Sequence, residues 1–166
     1  MDLHAHWPLI RRTFDAALRS SHHCAIATTG PDGLPHVTPM GFVFLRDDAT
    51  LYYFEEHARK LPANLAHNPN VCVLFVDSST RLWGSFLVTG RFGSAPGIRL
   101  RGVAGGRRRA SDGELVALKR RIGPMARLPG AKRIWGALEH VRDVRLTDCE
   151  PVVYEGVTDS LWRAAP

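Results

Sequence analysis

The sequence predicts a mainly β protein: six antiparallel strands rolled into a closed or partly closed barrel, with a few flanking helices. Three observations predict it. Apolar, β-branched and aromatic runs of strand length recur from Cys24 onward, separated by turn signals such as "GPDG" and "RDDA". Helical patterns are few and do not alternate with the strands, which disfavours a parallel sheet. Closing the sheet would also remove exposed edges. At 166 residues the chain fits one domain, 1–166, with a real core.

The elements follow in order. Pro8 suits a first helical turn, and Leu9, Ile10, Phe14, Ala17 and Leu18 fall on one face, giving a helix over Pro8–Ser20. A meander follows, with strands Cys24–Thr29, Leu34–Leu45 and Thr50–Glu55. Pro35 and Pro39 place the start of the second strand at an edge or a bulge, because proline cannot donate to a ladder. A short helix after Ala58 ends before Pro69. The apolar run "NVCVLFVD" is the fourth strand, and "LWGSFLVTGRF" reads as the fifth, with a bulge at Gly90. Gly93–Gly106 reads as a loop, and Arg107–Arg109 as a mobile basic segment that could serve as a lid or an anion-binding arm. Helical "DGELVALKRRI" and "AKRIWGALEH" then lead to a last strand within "VRDVRLTDCEPVVYEG".

Composition narrows the function classes. The hydrophobic fraction of 45% and charged fraction of 23% are those of a soluble globular chain. No apolar run is long enough for a membrane span, and the start lacks the basic-then-apolar order of a signal peptide, so the expected location is the cytoplasm without membrane attachment. Cys24, Cys72 and Cys149 form no CxxC pair, and neither a disulfide framework nor a metal site is expected. The histidine pairs His4/His6 and His22/His23 read as surface residues. The net charge of +6 favours an anionic partner. Nucleic acid is not expected, because the basic run lacks interleaved aromatics.

The most informative stretch is "YYFEEHARKLPANLAHNPN", where an aromatic strand runs into His57, Arg59 and Lys60 at the start of a helix. Free N–H groups and the positive end of a helix dipole favour an anion there. Taken alone, the two cations could equally be a solvated helix start. Glu55 and Glu56 precede them, and strand alternation turns the two acids to opposite faces, so at most one would face a bound anion.

Together with "AIATTGPDGLPHVTPMGFVF" and "FLVTGRF", this stretch resembles the pyridoxamine 5′-phosphate oxidase-like family, the flavin-binding split β-barrels. The resemblance covers roughly residues 20–92 and, more loosely, the last strand. It implies a homodimer with flavin mononucleotide (FMN) in a groove between the subunits. By similarity, Arg59 and Lys60 hold the flavin phosphate and His57 lies beside the groove. Val37, Thr38, Pro39 and Met40 would run along the isoalloxazine, and Ser85 would approach the ring or its ribityl chain. Trp83 and Trp135 read as core or interface residues. The implied activity is that of an FMN-dependent oxidoreductase acting on a small organic molecule, with no catalytic residue singled out. A deazaflavin is the alternative cofactor; haem, or a non-catalytic binding module of the same fold, is a further one. The C-terminal "LWRAAP" is similar to the end of the true oxidases, but no counterpart of their substrate-binding arginine–histidine motif precedes it. That particular oxidase reaction is not expected.

Overall fold

The computed structural model describes residues 2–162, so Arg163–Pro166 of the C-terminal similarity lie outside the described residues. Seven strands form one antiparallel sheet: β1 (Cys24–Thr29), β2 (Pro35–Met40), β3 (Val43–Leu45), β4 (Thr50–Phe54), β5 (Asn70–Val76), β6 (Gly97–Arg109) and β7 (His140–Pro151). Their spatial order is β2-β1-β5-β6-β7-β4-β3. β2 and β3 are thus the two edges, yet only Gly41 and Phe42 join them in the chain. Laid flat, seven strands about 4.8 Å apart would hold their edges nearly ~30 Å apart. Three Cα steps from Met40 to Val43 reach only about 11 Å. The sheet must therefore curl until its edges meet, which makes a barrel split along the β2/β3 seam.

The expected second strand, Leu34–Leu45, is divided at this corner, and the strand count becomes seven rather than six. Pro35 and Pro39 do lie on an edge strand, since β2 pairs only with β1.

Two further expectations are corrected. The run expected as a fifth strand is a helix, α3 (Thr80–Thr89). Ser79 caps it, its hydroxyl accepting from the Leu82 N–H at 3.3 Å, and Gly90 ends it at φ 69°. Gly90 is a helix C-terminal glycine and not a bulge. Conversely, most of the expected loop Gly93–Gly106 belongs to β6, the longest strand. Its glycines hid it, and two of them are required by close approach. A Cβ on Gly97 would lie 2.6 Å from the Phe75 carbonyl, and one on Gly102 would lie 2.5 Å from that of Arg145. Register shifts at Arg101/Gly102 and Ala104/Arg107 bend the strand around the barrel.

The remaining helices fall close to expectation: α1 (Trp7–Ser21), α2 (Lys60–His67), α4 (Asp112–Ile122) and α5 (Pro129–Trp135). α5 begins two residues before "AKRIWGALEH" and stops at Trp135, and β7 begins at His140. The main core joins α1 (Ile10, Phe14, Ala17) to inward residues of the barrel, including Ile26, Val73, Phe75, Ile98 and Val144. A second cluster packs Phe44, Tyr52 and Phe54 beneath α4 through Leu118 and Ile122.

The basic run Arg107–Arg109 is not a loose arm. Arg108 donates to Asp143 at 2.6 Å and to both oxygens of Glu114 at 2.7 and 2.9 Å, and Arg46 joins the same two acids. Glu114 also completes a capping box with Ser111 at the start of α4. The Arg108 bonds hold the Glu114 carboxyl down at about 2, and those from Arg108 and Arg46 also hold Asp143 below the ordinary range. A carboxyl depressed only in the folded state stabilises above its unfolded pKa, and that contribution is lost as pH falls through the folded value. Stability should accordingly drop as pH falls from 4.5 towards about 2. Urea midpoints measured across this range should decline more steeply for wild type than for Glu114→Gln. Equal slopes would remove Glu114 from the account.

Candidate cofactor-binding site

The seam between β2 and β3 faces the turn that leads from β4 into α2. Between them lies a cavity of about 370 Å³, within the range of ligand pockets. Thr38, Pro39 and Met40 from β2 line it, and His57, Glu56 and Ala58 line it from the β4–α2 turn. Phe42, Phe54, Trp135 and Leu138 supply apolar and aromatic wall. Trp135 meets Phe42 edge-on with centroids 5.6 Å apart. His57 Nε2 lies 2.5 Å from the Ile134 carbonyl, to which it donates, tying the end of α5 over the cavity.

Arg59 and Lys60 follow Ala58 in the chain, with Arg59 at the N-cap of α2 and Lys60 its first residue. Both are exposed, and among the described residues neither makes a hydrogen bond or ion pair. No side chain caps α2, and no acid occupies its first turn. The first-turn N–H groups of α2 therefore have no capping side chain beside two unpaired cations, a setting that electrostatically favours an anion.

Neither glutamate occupies that arrangement. Glu55 is buried, bound by Arg142 at 2.8 and 2.7 Å and by the Tyr53 hydroxyl at 3.0 Å. Glu56 Oε1 accepts from the backbone N–H groups of Glu139 and His140 at 2.9 and 2.6 Å. The two acids turn to different partners, and both lie past the end of β4 at Phe54.

The other expected site residues divide. Thr38, Pro39, Met40 and His57 come together in one cavity. Val37 is 59% exposed and does not line it. Ser85 sits on α3 and lines a separate cavity with Arg19, Asp77 and Ser79; its placement beside the ring depended on a strand that is a helix. Sequence reading missed Phe42, Glu56 and Trp135 as cavity walls. Phe42 was legible in principle, two residues beyond Met40. Trp135 was not, because nothing local ties α5 to β3.

Fold and site together define a split β-barrel with a cavity at its seam. The chain belongs to the pyridoxamine 5′-phosphate oxidase family, whose sequence profile matches residues 10–145. Among solved structures it is similar to an FMN-binding protein from Syntrophomonas wolfei subsp. wolfei (TM-score 0.63, 13% identity, 89% of this chain and 88% of that one). It is also similar to an F420 reductase (0.54, 22% identity, 82% and 95%) and to HutZ, the heme storage protein of Vibrio cholerae (0.57, 14% identity, 86% and 94%). At these identities the likeness carries the fold. No curated protein matches the chain. No helix among the described residues is long and apolar enough to cross a membrane.

Proposed function

We propose that the chain binds FMN at the seam and, as a homodimer, moves electrons between the flavin and a small organic molecule. The observation that carries this reading is a largely apolar cavity, walled in part by Phe42, Phe54 and Trp135, next in the chain to two unpaired cations at an uncapped helix start. The residues fit the group. Thr38 Oγ1 and Glu56 Oε2, on two residues that line the cavity, are buried without a partner. The aromatic walls suit a planar ring, and Arg59 and Lys60 suit a phosphate. Bound flavin would supply the electron chemistry, and the chain supplies position and electrostatics. A second cavity of about 640 Å³ shares Gly41, Phe42 and Trp135 with the first and gives a substrate room beside the ring.

The visible spectrum of the purified protein, followed by titration with FMN, tests the cofactor. Flavin bands, or saturable FMN binding, are expected. A deazaflavin band would select the alternative cofactor for the same groove, and a Soret band would favour haem. A colourless protein indifferent to FMN would sink the reading.

Dimerisation is expected because β2 leaves one edge unpaired and holds Val37 out at the seam; symmetric dimers are also the commonest assembly. Sedimentation should give a dimer at micromolar concentration. A stable monomer would leave the groove without its second wall.

A further inference from the structure

Glu56 is held in one orientation by an unequal division of donors. Its side chain is 10% exposed. Oε1 takes the Glu139 and His140 N–H groups, with His140 Nδ1 at 3.0 Å and Arg107 Nη2 at 3.7 Å. Oε2 is buried and has no partner, on a residue that lines the seam cavity. A buried polar atom left unmet costs roughly 1–3 kcal/mol, more for a charged group. The same donors that fix Oε1 prevent the side chain from turning to relieve Oε2.

The chemistry of what would meet Oε2 is restricted. A carboxylate oxygen only accepts, so the partner must donate. The walls around it, Pro39, Met40, Phe42, Phe54 and Trp135, favour a flat apolar body that carries this donor on its rim. Thr38 Oγ1, also unpartnered, can donate to a carbonyl on the same rim or accept from a second N–H. Phosphate is disfavoured inside the cavity by the Glu56 charge, which leaves it to Arg59 and Lys60 outside.

We infer that Glu56 Oε2 accepts a hydrogen bond from a ring N–H of the bound heterocycle, so that the cavity selects planar heteroaromatics bearing an amide or imide N–H. The inference rests on the cofactor reading only in identifying that ring as the flavin's.

Lumichrome, a tricyclic imide without ribityl chain or phosphate, tests it against 1,3-dimethyllumichrome, which has no N–H. Fluorescence titrations on wild type and Glu56→Gln are compared. Glutamine keeps an oxygen for the two backbone N–H groups and replaces Oε2 by a donor. Wild type should prefer lumichrome by about tenfold, the scale of one hydrogen bond to a charged group. The variant should lose that preference through weaker lumichrome binding, with the dimethyl compound unchanged. Equal binding of the two compounds to wild type, or no lumichrome binding, would overturn the inference. Unchanged lumichrome affinity in a variant that melts like wild type would do the same. If the variant does not fold, the wild-type comparison alone decides. FMN titrated in parallel separates the two readings. FMN binding with no N–H preference would leave the cofactor reading standing and this one lost. An N–H preference with no FMN binding would do the reverse.

Discussion

Replacing Arg59 with alanine should weaken FMN binding by about one to two powers of ten, while riboflavin binding stays unchanged. Arg59 is exposed, unpaired among the described residues and placed at the N-cap of α2, so nothing in the protein competes for its guanidinium. A bidentate charge-assisted contact contributes roughly 1.5–3 kcal/mol, which sets the expected loss. Lys60→Ala should cost less, because an ammonium is a point charge without the planar fork. Riboflavin lacks the phosphate and is the internal control. A parallel loss of both ligands would make the cations structural and the phosphate assignment wrong.

The largest stability effect should come from Arg142→Met. Arg142 makes a two-pronged contact with Glu55, whose side chain is only 1% exposed, and also donates to the Gly105 carbonyl at 2.6 Å. Burial and the neighbouring carboxylate push the Tyr53 phenol well above its usual range, so it stays a donor to Glu55. Removing the arginine strands a carboxylate in the interior, a defect of about 3–5 kcal/mol. Urea denaturation measures it. Glu55→Leu combined with Arg142→Met should recover much of the loss, because two apolar residues no longer strand a charge. A single variant within about 1 kcal/mol of wild type, the scale of an exposed ion pair, would show that the pair is not sealed from water.

The case of Glu55 and Glu56 shows where sequence reasoning stops. The alternation argument needed a strand through Glu55, but β4 ends at Phe54, and the acids' partners, Arg142 and the turn into β7, lie more than eighty residues away. Ser85 failed for a local reason. Apolar and β-branched residues outweighed the capping serine and the closing glycine of α3, both legible signals. β6 was hidden by its glycines, which are needed where neighbouring backbone comes within van der Waals distance. That closeness exists only once β6 has paired with β5 and β7.

The sequence by itself determined the mainly β class, the edge position of the proline-bearing strand, the family, and the strand-to-helix junction holding Arg59 and Lys60. Each of these is written in residues a few positions apart, where turn chemistry, alternation and helix-start geometry act directly. Only the tertiary structure decided that β2 and β3 close a seam, that α5 brings Trp135 over it, and that Glu56 keeps one buried oxygen without a partner. These features depend on the curl of a seven-stranded sheet, which joins segments distant in the chain and which no local pattern encodes.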